Sequence, residues 1–479
     1  MLITKRLAFL LLFIFPLQAF AQAISPKPTP AQLQWHGMEF YLFMHFGPNT
    51  FTDKEWGEGT EHEEIFNPTD LDCEQWCRVA KAAGAKGIII TAKHHDGFCL
   101  WPSKFSKHTV RESKWKDGKG DVLKELSLAC KKYGLKFGLY ISPWDRNHPD
   151  YGTKKYNDVF VNMMKELFIN YGPIWELWWD GANGEGPNGK KQVYDWHRFE
   201  KTVRSLSPNT IVFSDIGPDI RWCGNEDGIA GKTNWNTLDT AGFKRGAGGP
   251  PQDTLNAGNV NGKNWIPAEC DVSIRPGWFY HKEEDSKVKT PEQLFDLYLK
   301  SVGRGGNLLL NVPPDRRGLI SAKDSASLVG FKKLRGESFT NNISRTGKGF
   351  FIPHQGRKPT PNLNDDDPNT SEVVIADYRY IGIEFDTAHL INCIVLKENI
   401  SSGQNCKEFL LVLRNGKHEL IKEIFGTTIG NKRIISFPRL NVSTIGLSVI
   451  DPLSIIDRKT SPAISEIETY LIDEKLIEK

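Results

Sequence analysis

Between residues 39 and 340, short apolar runs alternate with longer amphipathic ones. Glu39 to Phe46, Ala85 to Thr91 and Leu135 to Ile141 have the length and the β-branched, aromatic content of strands. Asp72 to Ala83 and Asp121 to Tyr133 repeat apolar residues at helical spacing; in the second, Val122, Leu126, Ala129 and Tyr133 share one face. Tyr156 to Asn170 does the same with Val159, Met163 and Leu167, then passes through Gly172-Pro173 into the apolar stretch from Ile174 to Asp180. Helix 191–206, strand Thr210 to Ser214, helix Glu292 to Val302, strand Asn307 to Val312 and helix Ala322 to Phe339 complete the series. Strands alternating with helices through short connections predict a parallel sheet. The number of units favours a closed (β/α)8-type, TIM-like barrel over an open sheet. The irregular segment 216–290 hides part of the count.

Near residue 345 the pattern changes. Pro, Asn and Asp cluster from Pro359 to Thr370, and short alternating strands follow at Tyr380 to Phe385, Asn392 to Leu396, Phe409 to Leu413 and Arg433 to Phe437. No amphipathic helix interrupts them, so residues 343–479 read as a β-sandwich behind a catalytic barrel of residues 22–342. Residues 1–21 read as a signal peptide. Lys5 and Arg6 precede the apolar run Leu7 to Phe20, and Ala19-Phe20-Ala21 offers small residues for cleavage before Gln22. The run is too short for a stable span and no later stretch could cross a bilayer. Export to a periplasm or the exterior is the expectation.

Composition narrows the function. The 479 residues carry a net charge of only +3, without the basic stripe a nucleic-acid binder needs. Fourteen tryptophans suit carbohydrate handling. Eight cysteines in an exported chain invite a disulfide reading. Their placement argues against it: Cys73 and Cys77 are four apart on one helix, Cys130 lies on the apolar face of another, and no C-x-x-C pair suggests zinc.

The chemistry-capable residues follow the strands. His45 ends the first, with Glu55 and Trp56 in the next loop; His94-His95-Asp96-Gly97 follows the second; Tyr140 ends the third; Trp178 and Asp180 end the fourth. In a barrel these ends converge on one face. Trp178 and Asp180, two apart, point the same way, an aromatic face beside a carboxylate. Adjacent histidines on a strand point to opposite sides, so His94 and His95 should not share a metal ion; neutral imidazoles can instead hold sugar hydroxyls. No metal or organic cofactor is required. A glycosidase nucleophile at Asp180 needs a second acid. Glu226 and Asp227, in the Gly-flanked loop Arg221 to Gly228, are equal candidates by chemistry, with Glu269 and Asp271 as further contenders. No G-x-S-x-G elbow, P-loop or dinucleotide fingerprint is present.

Four segments carry a family likeness: Phe40 to Gly47, His94 to Phe98 with Trp101, Trp178 to Gly181, and Gly306 to Pro314. Together they resemble family 29 of the glycoside hydrolases, the α-L-fucosidases. The resemblance implies a retaining mechanism with Asp180 as nucleophile and His45, Glu55, Trp56, His94, His95, Tyr140 and Trp178 holding the fucose. The stretch Arg221 to Glu226 resembles the subgroup acting on α-1,3/1,4 linkages. There the Glu after Gly-Asn is the acid/base, which selects Glu226; Cys223 stands where a β-branched residue is more usual. Trp278 matches a residue that closes the pocket. The substrate implied is a fucosylated oligosaccharide or glycoconjugate. The alternatives are a fucosidase of broad linkage specificity, or a glycosidase or binding protein for a similar sugar such as an α-galactoside. Phe46 and Trp179 are candidates for an apolar wall against the C6 methyl group. The second domain is similar to discoidin-like or carbohydrate-binding sandwiches, through Ile383 to Asp386 and Val395 to Ile400, and is expected to buttress the barrel.

Overall fold

A computed structural model describes residues 26–246, 251–353, 356–374, 380–449 and 461–477. The expected signal peptide lies outside them. Eight parallel strands close a barrel: β1 (Phe40–Met44), β2 (Gly87–Lys93), β3 (Lys136–Ile141), β4 (Glu176–Trp178), β5 (Ile211–Ser214), β6 (Ile220–Trp222), β7 (Ala268–Ser273) and β8 (Asn307–Asn311). They stand in sequence order around the ring, and β1 closes it by pairing with both β2 and β8.

The flanking helices are α1 (Pro30–His36), α2 (Cys73–Ala83), α3 (Val122–Tyr133), α4 (Lys154–Tyr171), α5 (Trp196–Leu206), α6 (Pro291–Lys300) and α7 (Ala322–Phe339). Local chemistry sets their ends. Asp72 and Asp121 sit just before α2 and α3 as caps, accepting the Gln75 and Lys124 N–H groups at 2.9 Å. Gly84 and Gly134 stop the same helices at φ 72° and 64°, where a Cβ would be strained.

Alternation along the strands separates two cores. Leu42, Met44, Ile88 and Ile90 face the helices, whereas Tyr41, Phe43, Ile89, Tyr140, Trp178 and Leu309 fill the barrel. All eight cysteines are buried free thiols; Cys77 and Cys130 come to 3.9 Å, well beyond a bond.

The C-terminal domain is antiparallel: β9 (Lys348–Ile352), β10 (Tyr380–Glu398), β11 (Phe409–Arg414), β12 (Leu420–Gly426), β13 (Arg433–Val449) and β14 (Ala463–Tyr470), with two-residue strands at 358–359 and 372–373. The two short strands expected at 380–385 and 392–396 are halves of one 19-residue strand. The β10–β13 pair bridges the gap between them with two register shifts, between Glu384 and His389 and between Ile391 and Cys393. Its first half pairs with β9 and its second with β14.

This domain grips the barrel at the segment after β6. Gln404 accepts the Asn236 N–H at 2.7 Å and donates to the Asn234 carbonyl at 3.1 Å; Thr428 accepts the Asn234 N–H; Arg433 donates to the Lys232 carbonyl.

Candidate active site

The ten residues that the resemblance assigns to catalysis and fucose binding all line one cavity of about 180 Å³ at the C-terminal ends of the barrel strands. Phe43, Ala182 and Asp271 complete its wall. It is smaller than a drug-sized site and suits a single sugar ring.

Asp180 accepts two hydrogen bonds and has His95 beside it. The Ala182 N–H donates to Oδ1 at 2.7 Å, the Tyr140 hydroxyl donates to Oδ2 at 3.0 Å, and His95 Nε2 lies 3.7 Å from Oδ2. Gly181 must lack a side chain: a Cβ there would fall 1.9 Å from Asp215 Oδ2. Asp215 stands behind the site, where burial and then the Asp180 charge push its carboxyl up to about 7. Trp178 is stacked on Phe213, with centroids 3.8 Å apart, and on Tyr140 at 5.4 Å. Its indole N–H donates to Glu269 Oε1 at 2.8 Å.

The tautomers of two histidines follow from their partners. Asn311 Oδ1 accepts the His45 backbone N–H, and its Nδ2 donates to the Trp278 carbonyl, so the amide orientation is fixed. His45 Nδ1, 2.9 Å from that Oδ1, must carry hydrogen. Ser142 Oγ lies 2.9 Å from the Trp144 carbonyl and 2.7 Å from His95 Nδ1. Its single proton goes to the carbonyl, so His95 Nδ1 supplies the other. Both rings therefore turn an unprotonated Nε2 away from these anchors. Burial pushes both down to about 4, and His94 well below the histidine range, so all three are neutral.

The expectation that His94 and His95 face opposite sides is corrected. β2 ends at Lys93, and beyond it the strand alternation no longer applies. Both rings line the cavity with centroids 4.2 Å apart, and His94 stacks on Tyr140.

Glu55 does more than face the cavity. Its carboxylate accepts the Trp278 and Phe279 N–H groups at 2.7 and 3.2 Å and contacts His281 Nε2 at 2.6 Å. It thereby fixes the loop that carries Trp278 over His45, with ring centroids 5.1 Å apart. Trp56, 55% exposed, stands edge-on to His95 and Trp144 at the rim.

Of the acids left open by the sequence, Glu226 lines the cavity and Asp227 does not. Asn225 folds the turn by accepting the Asp227 and Ile229 N–H groups. Burial raises the Glu226 pKa, the neighbouring charges of Asp180, Asp227 and Glu55 raise it further, and the Trp278 indole N–H at 3.4 Å works against them. Glu269 lies inside the barrel beneath Trp178, bonded to Tyr41. Asp271 reaches the cavity wall, buried, with Oδ1 unpartnered; burial, with nearby acids, keeps it well above the carboxylate range.

Phe46 and Trp179 do not face the cavity. Phe46 packs against Phe51, Phe66 and Trp76, and Trp179 against Trp196 and Phe199, both in the layer between strands and helices. The apolar wall is made by Phe43, Trp178 and Ala182. Asn311 and Ser142, which fix the histidines, escaped the sequence reading as ligand-free polar residues; Asn311 nevertheless lies within one of the four family-like segments.

A larger hollow of about 770 Å³ opens beside this site among Tyr194, Trp196, Phe243 and Arg245. Its one acid, Glu200, is paired with Arg245, so it holds no pair of carboxyls for bond cleavage. Among the described residues, the single group of three or more metal-capable side chains is Asp366, Glu466 and Glu468, in the C-terminal domain.

Residues 24–333 match the sequence profile of the family described as Alpha-L-fucosidase. The chain belongs to that family of glycoside hydrolases. Alpha-L-fucosidase 1 of Arabidopsis thaliana is 39% identical over 464 residues, covering 94% of this chain and 88% of the plant enzyme. Among solved structures, a putative α-L-fucosidase from Bacteroides thetaiotaomicron superposes with a TM-score of 0.84 at 36% identity, covering 93% of this chain and 98% of that one. A Ruminococcus gnavus family 29 fucosidase in complex with fucose gives a TM-score of 0.82 at 29% identity, covering 94% and 96%. The barrel with its C-terminal antiparallel sheet is thus the architecture of these fucosidases. No helix among the described residues is long and apolar enough to cross a membrane.

Proposed function

We propose that this enzyme is a retaining exo-α-L-fucosidase that releases terminal L-fucose from α-1,3/1,4-fucosylated glycans, with Asp180 as nucleophile and Glu226 as acid/base. The observation that carries the reading is the pair itself. A hydrogen-bonded aspartate and a glutamate with raised pKa line one cavity with room for a single ring.

In the first step Asp180 attacks the anomeric carbon, and the glycosidic oxygen leaves with the Glu226 proton. In the second, Glu226, now ionised, takes a proton from water as the water oxygen displaces Asp180, and fucose departs with its configuration kept. Retention requires the two carboxyl groups to lie roughly 5 to 5.5 Å apart. His45 and His95 offer neutral Nε2 acceptors to sugar hydroxyls. The small volume of the cavity, with room for one ring, favours a terminal residue over an internal one. The linkage preference rests on the likeness of Arg221 to Glu226, and export on the N-terminal pattern.

NMR of the first product formed from an aryl α-L-fucoside tests the stereochemistry. α-L-Fucose supports retention, and β-L-fucose overturns it. A Lewis-type trisaccharide should be cleaved with higher kcat/KM than an α-1,2-linked fucoside; the reverse order removes the linkage assignment.

A further inference from the structure

The C-terminal sheet carries a second hollow, of about 350 Å³, that shares no residue with the barrel cavity. Neighbouring strands build it on one face. Glu384 of β10 lies opposite Thr444 of β13, which lies opposite Arg414 of β11; two positions along β13, Gly446 lies opposite Val412. The Tyr380 ring lies beside Gly446. A Cβ on Gly446 would meet Tyr380 Cδ1 at 3.4 Å and Cγ at 3.8 Å.

Two groups here lack what a folded protein normally supplies. Thr444 is only 8% exposed, and its hydroxyl has no hydrogen-bond partner. A buried hydroxyl left unpaired is costly, and native structures keep few of them. The second group is a cation. Arg357 is occupied: it pairs with Glu384 at 2.7 Å and covers the Phe350 ring at 3.5 Å. Arg414 donates to the His418 carbonyl at 3.0 Å and forms no ion pair among the described residues. An aromatic floor, a buried hydroxyl and an unpaired guanidinium lie in a cavity within the volume range of small-ligand sites.

We propose that this hollow is a non-catalytic binding site for an acidic pyranose, with the anionic group on Arg414, a ring hydroxyl on Thr444 Oγ1 and the sugar face against Tyr380. The choice of a sugar over another small anion rests on the chain's membership of a glycan-cleaving family. Sialic acids, uronic acids and sulfated sugars share this chemistry. The site would hold the enzyme on acidic glycans while the barrel removes fucose.

The test uses the whole protein. Calorimetry and saturation-transfer NMR are run with N-acetylneuraminic acid, glucuronic acid and galactose 6-sulfate, and with galactose and acetate as controls. At least one acidic sugar should bind saturably and more tightly than either control, and which one it is names the source. Arg414→Gln should weaken it about tenfold, the scale of one charge-assisted hydrogen bond. Gly446→Val, which fills the hollow, should abolish it. Both variants should hydrolyse an aryl fucoside at the wild-type rate, so binding here is read separately from catalysis. If Gly446→Val does not fold, Arg414→Gln decides alone. No saturable binding by any acidic sugar, equal binding by galactose or acetate, or unchanged affinity in Arg414→Gln overturns the proposal.

Discussion

The Tyr140 hydroxyl donates to Asp180 Oδ2 across 3.0 Å, from the end of one barrel strand to just past the end of the next. With the Ala182 N–H on Oδ1, it fixes the plane of the carboxylate and hence the line along which Asp180 can attack. Tyr140→Phe keeps the ring that stacks on Trp178 and removes only this donor. It should lower kcat by about 10- to 100-fold, the cost of a slightly misplaced reacting group, while leaving Tm nearly unchanged. Steady-state kinetics beside a thermal melt check both parts.

The pH profile should report Glu226. Its first task needs the protonated acid, so activity falls as pH rises through its pKa. Burial sets that pKa above the ordinary glutamate value and neighbouring carboxylates add to it, while the Trp278 N–H stabilises the ionised form. Trp278→Phe deletes that donor. The alkaline limb of kcat/KM should therefore move to higher pH, and KM should rise because the His45 ring loses part of its cover. A limb that stays put or moves to lower pH would show that Glu226 does not set it.

The C-terminal domain should matter to the barrel through Gln404. This buried amide satisfies the backbone at Asn234 and Asn236, and Asn234 Oδ1 in turn accepts from buried Arg221, five residues before Glu226. Gln404→Ala leaves a buried N–H unpaired, which should cost about 1–3 kcal/mol. Chemical denaturation should read that loss, and kcat should fall more than KM rises.

The strand ends and their residues were legible because barrel geometry converts a sequence pattern into a place: polar residues just after apolar runs must meet at one mouth. What the pattern missed has particular causes. β6 has only three residues and follows β5 after a five-residue turn, without a helix, so the sixth unit left no periodic trace. Alternation failed for His94 and His95 because the strand had already ended at Lys93. Phe46 and Trp179 were misplaced because nearness to a strand end was weighed without alternation, which puts them on the opposite side from Phe43 and Trp178, in the outer core. Anchors such as Asn311, Ser142 and Glu269 act through contacts 38 to 266 residues away along the chain, which spacing cannot reveal.

The central claim is that Asp180 and Glu226 are the two carboxyls of a double displacement. It is tested most directly by hydrolysis of a Lewis-type trisaccharide and an activated aryl fucoside by wild type, Asp180→Ala and Glu226→Ala, with and without azide. Asp180→Ala should lose on the order of 10⁴-fold or more in kcat on both substrates, as when other enzymes lose a nucleophile. Glu226→Ala should lose about 10²- to 10⁴-fold on the trisaccharide. Azide should take the place of water on the fucosyl-enzyme, restore turnover of the activated fucoside and give a fucosyl azide of α configuration. Wild-type activity in Glu226→Ala, or a fucosyl azide of β configuration from it, would contradict the assignment.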